Sequence, residues 1–248
     1  MIQIVIPMAG RGSRFQKAGY ALPKPLIEIH GHPMVEYVVR NVTPSAEHRF
    51  IFLCLQEHLD QYPLEEALQR MAPGCVIVPV REVTEGAACT VLLAEKYISN
   101  DDPLMIANSD QYVDRPIDGY LAALGENDGL IMTLPSQAPN CSYIRYDDAG
   151  YVTLVREKEI ISPEATVGIY NFARGRDFVR AAKEMIRKNI RTNNEFYLAP
   201  VYNELIAEGK KIVFQNVGKV DENVFGLGIP EDLMKFEKNP VSRTVFQS

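Results

Sequence analysis

Ile2-Gln3-Ile4-Val5-Ile6-Pro7, then Met8-Ala9-Gly10-Arg11-Gly12-Ser13-Arg14-Phe15, then Pro23-Lys24-Pro25-Leu26-Ile27: this opening stretch decides the fold. Its β-branched run reads as a strand buried on both faces, as in a parallel sheet. At Pro7 the run breaks into a loop of small residues and arginines. Glycine lets backbone approach a ligand closely. Successive N–H groups in such a loop make a concavity for anions. Arg14 adds a planar fork suited to phosphate oxygens. Lys24 lies between two prolines, so its backbone is stiff and its charge is aimed. A lone Gly-x-Gly is more often an ordinary turn. The loop lacks the Gly-Lys-Ser/Thr of a P-loop, and Phe15 stands where a dinucleotide fingerprint needs its third glycine.

Working outward, the chain alternates strands and helices, which predicts a parallel α/β sheet. Strands are expected over residues 2–6, 27–29, 50–55, 76–80 and 104–107. Helices are expected over 34–42, 59–71 and 86–98. In such sheets ligands bind beyond the C-terminal ends of the strands. The glycine loop follows the first strand and Asn108-Ser109-Asp110 follows the fourth long one, so both reach one crevice. The second half is less regular. Strands are expected over 129–134 and 167–172, with a hairpin closed by Asp147-Asp148-Ala149-Gly150. Helices follow over 177–188 and 196–208, then a strand over 211–216 and a last helix opened by Pro230. Residues after Pro240 read as a frayed tail.

The chain has 248 residues, 46% apolar and 23% charged, enough for one large domain or two small ones with a sizeable core. We expect a nucleotide half over 1–135 and an acceptor half over 136–240, with 241–248 as the tail. The net charge of −6 argues against a nucleic-acid-coating surface. No apolar run has the length of a membrane span, and no basic region precedes the first apolar run, so neither a membrane partner nor a signal peptide is expected. Cys54, Cys75, Cys89 and Cys141 lie far apart without metal spacing and read as reduced thiols of a cytoplasmic protein.

The linked motifs resemble one family closely. Ala9, Gly10, Gly12, Ser13, Arg14 and Phe15, followed by Pro23, Lys24, Pro25 and Leu26, match the signature of the nucleotidylyltransferases that activate sugar 1-phosphates and related phosphorylated small molecules. The resemblance implies a mixed, mostly parallel Rossmann-like α/β sheet flanked by helices in a single domain. It also implies transfer of a nucleoside monophosphate from a nucleoside triphosphate to a phosphorylated acceptor, with release of pyrophosphate. Arg14 and Lys24 match the positions that hold the triphosphate and stabilise charge. Met8, Ala9, Gly10, Arg11, Gly12 and Ser13 match its phosphate loop, with Asn108 and Ser109 beside the nucleotide. Asp110 matches a magnesium-binding aspartate, although taken alone it reads better as the cap of a turn. Thr84, Gly86 and Ala87 match the base-reading turn, and Thr84 also serves as a helix cap. Arg81 stands where some relatives read a pyrimidine with glutamine, which leaves the base open among CTP, UTP and dTTP. Tyr143, Glu157, Lys158, Gly168 and Glu195 match the acceptor pocket.

Two departures bear on function. Tyr143-Ile144 replaces a Tyr-Gly pair of sugar-specific relatives, which admits a phosphocholine or phospho-amino-acid type of acceptor. Gly226 stands where relatives keep a second metal-binding aspartate. One carboxylate suffices, or another acid such as Asp221 substitutes, or catalysis is impaired. A non-catalytic nucleotide-binding or regulatory subunit is therefore the alternative to an enzyme of surface-polysaccharide biosynthesis. The oligomeric state is left open.

Overall fold

A computed structural model describes residues 1–247 of the chain. Thirteen strands form: β1 (Ile2–Met8), β2 (Glu28–Ile29), β3 (His32–Pro33), β4 (His48–Leu55), β5 (Val76–Val80), β6 (Leu104–Ala107), β7 (Gln111–Val113), β8 (Gly129–Pro135), β9 (Ser142–Tyr146), β10 (Val152–Glu157), β11 (Glu164–Phe172), β12 (Ile212–Asn216) and β13 (Val224–Gly226). Nine of them make one sheet. Its main path runs β10-β9-β11-β6-β1-β4-β5, and β8 and β12 extend it from β11. The β6-β1-β4-β5 part is parallel throughout. β11 then enters antiparallel to β6, β8 and β9. The sheet is thus the mixed, mostly parallel α/β sheet that the family resemblance implied, and it runs without a break from the first half of the chain into the second.

The β-branched run of β1 is buried on both faces because the sheet is covered on both. Val5 points to one core with Ile51, Val91, Phe172 and Phe178. Ile4 and Ile6 point to the other with Phe50, Phe52, Val35 and Val38. Side chains alternate across a strand, so a continuous apolar run requires two apolar layers. A third cluster joins Phe15 of the glycine loop, Ile27 and Ile29 to Phe225, Leu227, Leu233 and Phe236 near the C-terminus. That cluster fixes the loop, the Lys24 segment and the β7-β13 ribbon to one support.

Several expected elements differ, each for a local reason. The helix expected over 59–71 is two helices, Gln56–Gln61 and Leu64–Met71. Pro63 divides them and holds Tyr62 extended, at φ −132° and ψ 154°. The helix over 86–98 is also divided, into Ala87–Leu92 and Glu95–Ile98. There the N–H groups of Leu93 and Ala94 bond three residues back, to Thr90 and Val91, which tightens the turn and ends the first piece. Helix does not begin at Phe196, because the Phe196 backbone is bonded to Glu85 and Ala88 instead. A 3₁₀ turn, Ala199–Val201, leads into Tyr202–Ala207. The frayed tail is also corrected. Val241–Thr244 is helical, Ser242 is fully buried, and the Phe246 ring stacks on His32 at 3.6 Å. Ser248 lies outside the described residues. Pairing of β7 with β13 was not anticipated; at three residues each, the strands are too short for a periodicity to show.

Candidate functional site

A cleft of about 350 Å³ opens beyond the C-terminal ends of β1 and β6. Its wall takes Met8, Ala9, Gly10 and Gly12 from the glycine loop, Lys24 from the proline-framed turn, and Asn108, Ser109 and Asp110 from the end of β6. Thr84, Gly86 and Ala87 close a third side, and Glu195 reaches it from the second half of the chain. Pro7 and Pro25 of the opening motifs also line it, as do Val83 and Thr90, which were not singled out in the sequence. Chain order disperses these residues, and the strand-end rule for α/β sheets gathers them.

Lys24 is the centre of this arrangement. Its Nζ donates to Asp110 Oδ2 at 2.7 Å, across 86 residues of sequence. The side chains are 18% and 31% exposed, so the pair faces the cleft rather than bulk solvent alone. Gly12 has φ +63°, and a Cβ there would meet Lys24 Cβ at 3.2 Å. The glycine thus lets the loop pack against the lysine stem. Gly228 does the same for Asp110, since a Cβ there would lie 2.9 Å from Asp110 Oδ2. The Leu227 N–H donates to the Asp110 carbonyl at 2.7 Å, which ties the aspartate backbone to the β13 segment.

Gly86 has φ +139°, a conformation that side chains rarely adopt. A Cβ there would lie 2.4 Å from the Phe196 carbonyl oxygen. The Phe196 N–H donates to Glu85 O at 2.8 Å, and the Ala88 N–H donates to Phe196 O at 3.0 Å. The close approach that requires glycine is therefore to the protein's own backbone. This clasp carries Glu195 to the cleft. Thr84 Oγ1 donates to Gly86 O at 2.9 Å and lies 2.6 Å from Thr90 Oγ1, which braces the turn; it caps no helix N–H.

Other expected site residues lie apart from the cleft wall. Arg11, Ser13, Arg14 and Arg81 are exposed and do not line it. Tyr143 lies in β9, away from the cleft wall. Its side chain is fully buried, and its hydroxyl donates to Ala138 O at 2.8 Å. Glu157 accepts a hydrogen bond from the Ser142 hydroxyl. Lys158 has φ +57°, donates to the Tyr197 hydroxyl and lies over that ring, 4.5 Å from its centre. Gly168 has φ +96° and packs its bare Cα against the Asn108 and Gln111 amides. Gly226 pairs with Gln111, and a Cβ on it would lie 3.4 Å from Asp232 Oδ2. Asp221 stands in a turn at φ +62° with its N–H on Val224 O. Asp232, not Asp221, is the acid beside Gly226.

Burial pushes the Glu157 carboxyl above its ordinary range, against the opposing pull of the Ser142 hydroxyl and the Lys158 charge. The hydrogen bond to Tyr197 raises Lys158 above the usual lysine range. With its pKa raised, Glu157 binds its proton more tightly in the folded state than in the unfolded chain. Its contribution to stability is therefore fullest in acid and is lost as pH rises through the folded pKa. Glu157→Gln is expected to match or exceed the wild-type Tm at neutral pH, by about 2–4 °C for about 1 kcal/mol. The advantage should vanish in acid. Melting curves at both pH values decide it, and a Tm lowered more at neutral pH than in acid would contradict this account.

An α/β sheet with a glycine loop, a lysine and an aspartate around one strand-end cleft defines a nucleotide-handling domain. The chain belongs to the MobA-like NTP transferase domain family, whose model matches residues 4–153. It is 23% identical over 133 residues to a UTP–glucose-1-phosphate uridylyltransferase of Salmonella typhimurium, covering 46% of this chain and 45% of that one. It is 24% identical over 176 residues to the mannose-1-phosphate guanylyltransferase catalytic subunit beta of Drosophila pseudoobscura pseudoobscura, covering 68% of this chain and 47% of the other. The chain spans about half the length of these curated relatives. Among solved structures, a nucleoside-diphosphate-sugar pyrophosphorylase from Vibrio cholerae RC9 superposes with a TM-score of 0.81 at 28% identity, covering 95% of this chain and all of that one. Among the described residues, no helix is long and apolar enough to cross a membrane.

Proposed function

We propose that the protein is a magnesium-dependent nucleotidylyltransferase that joins a nucleoside monophosphate to a phosphorylated small molecule. The observation that carries this reading is the Lys24–Asp110 pair at 2.7 Å in the wall of the glycine-loop cleft. A phosphate oxygen of the acceptor attacks the α-phosphorus of the triphosphate. The bond from that phosphorus to the bridging oxygen breaks, and pyrophosphate leaves. Such a transfer is a matter of positioning and of neutralising charge. Lys24 leaves Asp110 for the α-phosphate oxygens, and Arg14 takes the outer phosphates. Thr84, Gly86 and Ala87 hold the base, while Glu157, Lys158 and Glu195 hold the acceptor.

The donor set suits magnesium. Among the described residues no cluster of three or more His, Cys, Asp or Glu could cage a metal by itself. Magnesium does not need one, because it is held by one or two carboxylates together with phosphate oxygens. Asp110 already carries a cation in the Lys24 ammonium. Asp110 would hold magnesium there, and the ion would supply charge neutralisation at the phosphates. Asp110→Asn is expected to shift the magnesium titration of pyrophosphate release to at least about tenfold higher concentration. An unchanged titration would show that Asp110 does not hold the metal.

CTP, UTP and dTTP are the expected nucleotides. The acceptor is a sugar 1-phosphate or a phosphocholine-like phosphate, and the names of the relatives favour the sugar. A cytoplasmic role in building surface polysaccharide fits this chemistry.

A further inference from the structure

β10 ends at Glu157, and Lys158 turns the chain out of the strand with φ +57°. A side chain in left-handed backbone is strained and persists only where its surroundings hold it. Here they hold the residue at both ends. The Lys158 N–H donates to Cys141 O at 2.9 Å. Its ammonium donates to the Tyr197 hydroxyl and lies 4.5 Å from the centre of that ring. Both side chains are half-buried, so neither is sealed in the core. Tyr197 is itself placed by the backbone clasp, because its neighbour Phe196 is bonded to Glu85 and Ala88. Glu195, on the other side of Phe196, lines the cleft. Residues 195–197 thus tie the lysine to the Gly86 turn that closes one side of the cleft.

Burial pushes the Tyr197 hydroxyl above its ordinary range, the hydrogen bond from Lys158 draws it back, and Glu195 raises it again. The hydroxyl therefore stays neutral and serves the lysine as an acceptor at ordinary pH. An ammonium has three N–H donors. Tyr197 takes one and leaves two for a phosphate. We infer that Tyr197 is a positioning residue of the acceptor site: its hydroxyl and ring hold the Lys158 ammonium in place, with two N–H donors left for the acceptor's phosphate. The inference rests on the reading in which Lys158 holds the acceptor. Ordering a free lysine side chain costs rotamer freedom. Holding it before the acceptor arrives removes that cost from binding.

The test is kinetic, on the full-length protein, with hexose 1-phosphates and phosphocholine as acceptors. Wild type, Tyr197→Phe, Lys158→Ala and the double variant are assayed for pyrophosphate release, and each is melted. Tyr197→Phe keeps the ring and removes only the hydroxyl. It is expected to raise the KM for the acceptor about tenfold and to leave the KM for the triphosphate within about twofold. Added to Lys158→Ala, it should change the acceptor KM by less than about twofold more, because the hydroxyl acts through the lysine. Tyr197→Leu, which also removes the ring, should raise the acceptor KM further and covers the case in which the phenylalanine variant does not fold. An unchanged acceptor KM in the folded variants, or full additivity in the double variant, would overturn the inference and leave the parent reading intact. A triphosphate KM that rises in step with that of the acceptor would mean that Tyr197 only braces the clasp, and would overturn it too. An acceptor KM unaltered by Lys158→Ala would take the lysine out of the acceptor site, and the inference would fall with it. Silence across all acceptors would remove the parent reading and this inference together.

Discussion

Lys24→Ala is expected to lower kcat by about 10²–10³ while the protein stays folded, because one preorganised charge at the transition state is worth about that much. The structure explains why the two effects separate. Lys24 lies in the 3₁₀ turn Lys24–Leu26, held by Pro25 and Leu26, which are buried. The lysine head is partly exposed and its partner Asp110 more so. An ion pair in that setting contributes only about 0–1 kcal/mol to stability. A Tm loss beyond about 5 °C is therefore not expected. Single-turnover rates with saturating triphosphate check the chemistry, and a melting curve checks the fold. Wild-type turnover in the folded variant would remove Lys24 from the mechanism.

Gly86→Ala has the opposite signature. The added Cβ would lie 2.4–2.5 Å from the carbonyl oxygen and nitrogen of Phe196, and no rotamer change relieves a clash with backbone. The φ of +139° adds strain of about 1–3 kcal/mol, and overpacking adds about as much again. A total stability of about 5–15 kcal/mol does not absorb this lightly. A Tm fall of about 10 °C is expected, with triphosphate affinity falling in parallel. Glu195 should be displaced as well, because the Gly86 turn and the Phe196 segment hold each other. Unchanged Tm and affinity would mean that the clasp between the two halves is not formed.

The opening stretch made the first half of the fold legible. Its apolar run can be buried on both faces only in a covered sheet, and its glycine loop and Asp110 each follow a strand end. The residues near the cleft came from the same logic together with the signature motif. What stayed hidden depends on contacts rather than pattern. Pro63 divides a helix whose apolar spacing runs straight through it. The tail reads as frayed, yet Phe246 and Ser242 are held by packing against His32 and Tyr37.

Pyrophosphate release with magnesium tests the central claim most directly. CTP, UTP, dTTP, GTP and ATP are each offered with sugar 1-phosphates, phosphocholine and phosphorylated amino-acid derivatives. The account predicts release with one triphosphate and one phosphorylated acceptor, and incorporation of the α-phosphate into the product. Binding of a triphosphate at the cleft without release for any acceptor would contradict the enzyme and leave a nucleotide-binding subunit, and absence of both would contradict the site itself.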